Sequence, residues 1–394
     1  MLKRILCTLS VCLLSLTMLA QTAGIDQVLV QVEQNNADLK ALQYQHDARK
    51  LELAAGNNLP DPQLSGYYLP FGANIAGAYR EVEISQHIAF PGVYKARRTL
   101  IGKQELVLAT SYSTRRQEVL HQAYQHCLQI IYLNKRLAAA GRRMEQAEQA
   151  YQQVEALFEQ EQVGVLLYNK AKIFWLQEQF RLQQLQNEKQ GLLLLLETLN
   201  GGKPVAFDAS EYAEVPHLYN VDSLWDQKLQ ADPEMLRLRQ EEAIARQQVK
   251  LSEKAGYPGI TAGYNYQGMV ETHNHGFYAG INLPLWNNRR QVKASRARLH
   301  YQETTSLART AGAEARFRSE YRQYHLLHTR YEAYARTLSG LHSEQLLFKA
   351  YQMGEYSFLE YHGEIQFYRD ARDTFLEMEY HLHLSHIHLL KHQL

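Results

Sequence analysis

Cysteine is scarce in this chain, and the predicted mature chain offers no internal disulfide. The 394 residues include three cysteines, of which Cys7 and Cys12 lie close to the amino terminus. The chain starts with a basic leader and continues with an apolar run that is too short to span a bilayer. We therefore predict a secretory signal peptide over residues 1–23, after whose removal Cys127 is the single remaining thiol.

An excess of charge of one sign is also lacking, as are catalytic motifs. The formal net charge is +1 at pH 7, which argues against a nucleic-acid partner. Beyond the leader, no apolar run approaches the length of a membrane-spanning helix. The sequence contains no phosphate-binding glycine loop, no nucleophile elbow and no HExxH motif. We therefore expect a protein that is not an enzyme and that holds no cofactor.

Long helical patterns are what the chain does have. One runs from about residue 95 to 162, roughly 100 Å at 1.5 Å per residue. Its apolar positions step by three and four, which predicts a coiled-coil seam through Leu137, Ala140, Met144, Ala147, Tyr151, Val154 and Phe158. The pattern ends at Gly164 and a shorter helix returns. A second hairpin of this kind turns at Gly354, and we expect both glycines to supply a tight reversal without a Cβ.

The two hairpins belong to two halves that repeat each other. Corresponding segments recur at about 200 residues, which indicates a duplicated unit rather than a solenoid. We predict a first repeat over residues 24–201, an equatorial linker over 202–220 and a second repeat over 221–394. We predict that each repeat consists of short helices, a pair of strands and a long helical hairpin.

The strand pairs, at about residues 62–90 and 259–285, alternate between apolar and polar positions. In the second pair Tyr264 and Ile281 occupy the apolar face, and Asn265 and Asn282 the polar one. The strands have the length of transmembrane strands. Four strands cannot close a barrel, and lipid does not tolerate open sheet edges. Either several chains share one barrel, or the strands form a small soluble sheet packed on helices. The signal peptide and the clean alternation favour the barrel.

Several short motifs mark the strand and hairpin boundaries. They are LPDPQL at 59–64, SQHIAFPG at 85–92, VGVL at 163–166, YQMG at 351–354 and GEYSFLEY at 354–361. Together with the two-fold architecture, these segments resemble the TolC-type outer-membrane efflux proteins over the whole mature chain. LPDP and GEYSFLEY are most similar to the heavy-metal-efflux branch. The resemblance implies a mostly α-helical fold with four strands per protomer, and a homotrimer whose twelve strands form one barrel above a periplasmic helical tunnel.

The resemblance also implies a function and partners. It predicts the outer-membrane channel of a tripartite efflux system, a passive duct for small molecules or metal cations. The duct would be docked by a periplasmic adaptor protein and an inner-membrane pump of the RND type, and its barrel would contact outer-membrane lipid. The rival that the residues leave open is a periplasmic coiled-coil scaffold or adaptor.

Residue roles follow from the resemblance at the two hairpin tips. It assigns adaptor docking to Gly164, Val165, Leu166, Gly354, Glu355 and Tyr356. It matches Tyr351 to a tyrosine that latches the closed entrance, although the position of its acidic partner is occupied by Lys170. Glu360 and Glu364 are four apart on one helix face, and a trimer would stack them as carboxylate rings that select cations. The alternative is a pair of solvated surface glutamates.

Histidines crowd the last helical segment. His388 and His392 are four apart, as two zinc ligands on a helix would be. Histidines at such positions are more often polar residues on an exposed or lumen-facing helix end. Both interpretations remain open from the sequence.

Overall fold

The computed structural model describes residues 24–70, 78–215, 218, 220–269, 272–286, 288–340 and 343–394. The predicted signal peptide, residues 1–23, lies outside this part of the chain. The helices are α1 Ile25–Asn35, α2 Ala37–Ala55, α3 Pro91–Glu159, α4 Val165–Leu199, α5 Val221–Ala231, α6 Pro233–Lys254, α7 Asn288–Leu338, α8 Ser343–Gln352 and α9 Phe358–Leu389, followed by a 3-10 turn at Lys391–Gln393. None of these described helices combines the length and apolar character needed to cross a membrane.

The order of elements repeats between the two halves. Two helices, two strands and a long helix occur first as α1 to α3 and again as α5 to α7. The halves differ in the long helix: α3 is continuous over 69 residues, whereas its counterpart ends at Leu338 and resumes at Ser343 as α8. Ser339 and Gly340, which are poor helix formers, follow the end of α7. The helical segment that enters the second tip is therefore interrupted after Leu338.

Local capping explains where α6 begins. The Asp232 side chain accepts a hydrogen bond from the Glu234 N–H at 2.9 Å, and Pro233 occupies the first helical position. An aspartate N-cap satisfies an otherwise unpaired amide, and proline fits there because its missing N–H is not needed. Asp232 and Pro233 together therefore fix the residue at which α6 begins.

The four strands form one antiparallel sheet in the order β1-β2-β3-β4. Their bounds are β1 Gln63–Leu69, β2 Tyr79–Ile88, β3 Gly259–Met269 and β4 Thr272–Asn282. Both predicted strand pairs are confirmed, and the pairing of β2 with β3 joins the two halves of the chain. Among the described residues of one chain, β1 and β4 each leave an edge without a strand partner.

The register separates the two faces of the sheet as the alternation predicts. Ile84 lies opposite Tyr264, which lies opposite Phe277, so these apolar side chains share one face. Phe277 is 91% exposed there. On the other face, Glu83 lies opposite Asn265. A sheet with an uncovered apolar face and a polar face is typical of a wall between lipid and water.

The polar face is organised around two glutamates. Glu81 accepts hydrogen bonds from Asn265 at 2.5 Å and from Tyr79 at 2.7 Å. Tyr278 donates to the Glu83 carboxylate. The ring of Tyr278 covers Gly263, where an added Cβ would come within 2.5 Å of the ring. The glycine therefore gives the tyrosine room to lie flat across the strands.

The chain divides into two compact units, and each draws on both repeats. One contains residues up to Lys40, Arg115–Ser223 and Arg316–Leu394; the other contains Ala41–Thr114 and Leu224–Ala315. The sheet belongs to the second unit. There, buried polar side chains join helices: Gln247 donates to the Ala96 carbonyl at 3.0 Å, and the Ser252 and Ser295 hydroxyls are 2.7 Å apart.

The described part of the linker packs against helices of the first unit. Phe207 is buried, and Asp208 accepts hydrogen bonds from Asn134 and Lys189. The Tyr212 hydroxyl donates to the Leu128 carbonyl at 3.2 Å. The division into two repeats and a linker stays a prediction, but this segment has its own anchors on α3 and α4.

Candidate docking tips and entrance

The second hairpin reverses at a glycine in the left-handed region. Gly354 has φ +79°. The Glu355 N–H bonds to the Ala350 carbonyl and the Gly354 N–H to the Tyr351 carbonyl, each at 3.0 Å. This pair of bonds is the Schellman motif, which closes a helix on one left-handed residue. A Cβ at this φ is strained, so the predicted need for glycine at 354 has a physical basis.

The first hairpin uses the same motif but not its glycine. The Gln162 N–H bonds to the Leu157 carbonyl and the Glu161 N–H to the Phe158 carbonyl, each at 2.9 Å. The left-handed residue is Glu161, with φ +60°. Gly164 has φ −81° and ψ 158°, an extended conformation open to any residue. The prediction that Gly164 supplies a Cβ-free reversal is therefore wrong.

Aligning the two turns by their left-handed residues therefore pairs different positions from those paired when the turns are aligned by Gly164 and Gly354. In each turn the N-cap of the next helix follows three positions after the left-handed residue, Gly164 after Glu161 and Ser357 after Gly354. Glu161 thus corresponds to Gly354, and Gly164 to Ser357. Lys170 then corresponds to Gly363 and not to Glu360.

All six predicted docking residues lie at these reversals and are exposed. Val165 and Leu166 begin α4, and Leu166 is 76% exposed although it is apolar. Gly354, Glu355 and Tyr356 form the connection before α9. Exposed apolar side chains at a chain reversal suit contact with another protein. Their role in docking stays a prediction.

Glu360 has a local structural task. The Ser357 hydroxyl accepts from the Glu360 N–H at 3.4 Å, and the Glu360 carboxylate accepts from the Ser357 N–H at 2.9 Å. This capping box fixes the start of α9, and the bond from the Ser357 N–H lowers the pKa of the Glu360 carboxyl. Glu364 is exposed one turn later. The carboxylate ring in a trimer stays a prediction.

Tyr351 lies in the core between the two hairpins. Its ring stacks on Tyr361 at 4.9 Å, and its hydroxyl lies 3.5 Å from the Ala150 carbonyl on α3. Burial raises the pKa of Tyr351 to about 12. Lys170, by contrast, is exposed on α4. Tyr351 thus has a hydrogen-bond acceptor on α3, the Ala150 carbonyl. Its part in a latch stays a prediction.

An apolar cluster surrounds this tyrosine and joins α3, α4, α8 and α9. Three of the predicted seam residues, Ala147, Tyr151 and Val154, are buried in it, which confirms the seam at this level. The other buried members are Ala150, Ala171, Phe174, Tyr351, Phe358, Tyr361 and Ile365.

The sequence patterns did not identify a cluster of two tyrosines and one glutamate near the first tip. Tyr151 donates to Glu155, its neighbour one turn along α3. The Tyr168 hydroxyl on α4 lies 3.1 Å from that of Tyr151 and 3.4 Å from the Glu155 carboxylate. These bonds raise the pKa of Tyr151. The Tyr-x-x-x-Glu spacing is visible in the sequence, but the third member comes from across the turn.

Four charged side chains meet in the helical core farther along α9. Arg369 is 2% exposed and donates to Glu178, 5% exposed, at 2.8 Å. Arg143 pairs with Asp373 at 2.9 Å and also donates to the Arg369 carbonyl at 3.3 Å. We call these four residues the ion cluster. It ties α3, α4 and α9 together at one level.

The histidines proposed as metal ligands differ in setting. His388 is exposed on α9; its ring lies 4.7 Å from that of His121 and 3.2 Å from the Gln125 amide nitrogen. Partial desolvation, where its ring packs beside His121, lowers the pKa of His388, and burial takes the pKa of His121 to about 4. His392 is buried in the 3-10 turn. Across the described ranges, no three histidine, cysteine, aspartate or glutamate side chains are arranged to hold a metal ion. The metal site stays a prediction without a third ligand.

Comparisons with known proteins now bear on the fold. No protein-family model matches the chain, and no curated protein matches its sequence significantly. Solved structures do match. A crystal structure of CusC, from work on folding and transmembrane channel formation, has a TM-score of 0.73 at 17% identity and covers 95% of each chain. The chain has the fold of an outer-membrane channel.

Two further structures agree. The CmeC outer membrane channel of Campylobacter jejuni matches with a TM-score of 0.69 at 15% identity, over 96% of this chain and 90% of that one. The outer membrane protein VceC of Vibrio cholerae matches with a TM-score of 0.71 at 13% identity, over 93% and 96%. The TolC-type architecture expected from the sequence motifs is thereby confirmed as the fold.

Proposed function

We propose that this protein is the outer-membrane channel of a tripartite efflux system. Three copies would form a passive duct from periplasm to exterior, docked by a periplasmic adaptor and an inner-membrane pump of the RND type. The observation that carries the proposal is the match to channel structures over almost the entire length of both chains. At these identities the match establishes the fold, and the exposed sheet and the hairpin tips add support for the function.

The sheet supports an outer-membrane location. Its apolar face exposes Phe277 and Ile281. In the part of the chain that the structure describes, its edge strands β1 and β4 have no outer strand partner. In lipid, both an unpaired edge and an open sheet are prohibitively costly. Three copies joined edge to edge give twelve strands and remove every edge. This arrangement explains why the apolar face is exposed, because the face would contact lipid. A small soluble sheet would leave that exposure unexplained.

The hairpin tips support docking and cation selection. Leu166 and Tyr356 expose apolar surface at the reversals. Glu360 and Glu364 share one face of α9, and a trimer would present six such carboxylates at its entrance. Mutual repulsion among them favours bound cations. Metal cations and small organic molecules both remain candidate cargo.

The test separates this duct from the rival periplasmic scaffold. Outer membranes of the source organism are extracted, and the protein is run on denaturing gels with and without heating. We expect a heat-sensitive trimer in the outer-membrane fraction, and deletion of the gene should make cells retain a metal or dye that the parent expels. A soluble periplasmic monomer together with unchanged retention would favour the scaffold.

A further inference from the structure

The apolar face of the sheet changes character from one end of its strands to the other. At the end that joins the helices, Ile88 lies opposite Ile260, which lies opposite Ile281. At the other end, where β1 connects to β2 and β3 to β4, the side chains on this same face become polar. The strand register places four residues side by side there, and we call them the loop-end row: Tyr68, Arg80, Gly268 and His273.

The loop-end row carries a positive charge that the sheet does not neutralise. Arg80 is exposed, and its guanidinium lies 5.7 Å from the centre of the Tyr68 ring, a cation–π distance. None of the described strand residues on this face is an aspartate or a glutamate, and Glu81 and Glu83 lie on the opposite face. The sheet therefore offers Arg80 no carboxylate on its own side.

A hydrogen bond fixes the histidine of the row. The Tyr266 hydroxyl lies 2.7 Å from Nδ1 of His273, and the two rings stack with their centres 5.9 Å apart. Gly268 lies beside them, and an added Cβ would come within 3.1 Å of the Tyr266 hydroxyl. The glycine thus leaves room for this pair. Aromatic rings with polar atoms at the end of an apolar strand face are typical of the girdle at a membrane–water interface.

The distance between the two ends of the face matches a bilayer. Ile281 and His273 are eight positions apart on β4, about 27 Å at 3.4 Å per residue. A strand tilt of 35–45° brings the depth to roughly 20 Å, comparable with the apolar band of about 25 Å on membrane barrels. Trp286, 85% exposed, follows β4 at the helix end. Under the proposed function, the loop-end row therefore lies at the depth of the lipid head groups.

We propose that the loop-end row binds the phosphate of an anionic membrane lipid, with the Arg80 guanidinium as the charged contact. The inference rests on the proposed function and adds a lipid site to the outer wall of the sheet. The acyl chains would lie along Phe277 and Ile281, which are exposed on the same face. A guanidinium suits this role because it binds phosphate through two parallel N–H···O bonds.

Charge favours a lipid over a second copy of this chain on this face. The same face of a second copy would bring another Arg80 and, among the described strand residues, no carboxylate. An anionic lipid supplies both the acyl chains that the apolar residues need and the negative charge that the arginine needs. It therefore satisfies both ends of the face at once.

The first experiment measures lipid binding by native mass spectrometry of the purified full chain in detergent. The protein is titrated with phosphatidylglycerol, which is anionic, or with phosphatidylcholine of the same acyl chains, which is zwitterionic. We expect the parent to retain the anionic lipid preferentially. Arg80→Gln should weaken that binding about fivefold, the contribution typical of one basic residue near an anionic lipid surface, and Arg80→Lys should keep most of it. Arg309→Gln is the matched control, since Arg309 is exposed on α7 about 30 Å along the helix from its start.

Three results would overturn the lipid site. They are equal retention of the two lipids by the parent, unchanged retention in Arg80→Gln, and displacement of the lipid by inorganic phosphate beyond that caused by chloride at equal ionic strength. The last result would assign the row to free phosphate. A heat-sensitive trimer of the parent in the outer-membrane fraction would leave the channel proposal standing in all three cases.

The second experiment measures the depth of the row. Nitroxide labels are attached to Phe277→Cys and to His273→Cys in lipid vesicles, and their relaxation by oxygen is compared with that by a water-soluble nickel chelate. Cys127 is buried and does not take the label. We expect the label at 277 among the acyl chains and the label at 273 among the head groups. Equal depth of the two labels would overturn the lipid site, and two labels in water would overturn the outer-membrane location as well.

Discussion

The ion cluster offers a stability prediction whose size can be worked out. Arg369→Met removes the guanidinium that lies 2.8 Å from Glu178 and leaves a carboxylate on a residue only 5% exposed. Removing one partner of a buried ion pair costs about 3–5 kcal/mol, because the remaining charge is neither solvated nor paired.

Replacing both partners should behave differently. The attraction between charges 4 Å apart is about 4 kcal/mol at an effective dielectric constant of 20, and desolvation of the two ions offsets it. Buried pairs replaced by apolar residues of similar size are often neutral or more stable by about 1–4 kcal/mol. Arg369→Met combined with Glu178→Leu should therefore recover most of the stability that Arg369→Met loses.

The assay is the thermal midpoint of the helical circular-dichroism signal, measured for purified protein in detergent. Arg49→Met is the control, since its pair with Glu52 is exposed, with side-chain exposures of 58% and 62%, and such pairs contribute about 1 kcal/mol or less. The reasoning is refuted if Arg369→Met is no more destabilising than Arg49→Met. It is also refuted if the double variant is as unstable as the single one.

Three further predictions concern turns, strands and the entrance. Gly354→Val should lower efflux and the stability of the tip, because the φ of residue 354 is +79°. Gly164→Val should keep a folded trimer. Equal effects of the two variants on efflux and on cleavage of the tip by protease would contradict the turn geometry. Ile281→Arg should cost roughly 2–4 kcal/mol near the bilayer midplane and reduce the trimer band, while Asn282→Arg, on the opposite face, should be tolerated; equal yields would remove the membrane wall. Glu360→Gln keeps a capping-box side chain but removes half of the predicted ring charge, so divalent block of single-channel current should weaken without loss of trimer, and unchanged block would return Glu360 to a purely capping role.

The elements with strong periodicity were accessible from the sequence. The alternation in β3 and β4 places Tyr264 and Phe277 on one face, because strand side chains alternate with period two whatever surrounds them. The coiled-coil seam through Ala147 and Val154 is also found buried. Both patterns are local, so neither required knowledge of a distant partner.

Features that depend on conformation or on distant partners were not accessible. Glycine suggested the reversal at Gly164, but the left-handed residue is Glu161, since a Schellman motif tolerates other residues at a cost of about 1–2 kcal/mol. The Arg369 pair with Glu178 spans 191 positions in the chain. No spacing rule links residues so far apart in the sequence. Considered within its own helix, either Arg369 or Glu178 would be interpreted as a solvated surface charge.

The central claim is that three copies close one barrel, and disulfide trapping between edge strands tests it most directly. In one chain β1 and β4 are separated by two strands, about 14 Å at the usual 4.7–4.9 Å spacing, beyond the roughly 7 Å limit between Cα atoms for a disulfide. Cys127 is buried and its pKa is raised to about 12, so it does not compete. Cysteine pairs scanned along β1 and β4 in intact outer membranes should therefore yield a covalent trimer and nothing larger. Monomer alone at every register, or a ladder that continues past three, would contradict the shared barrel.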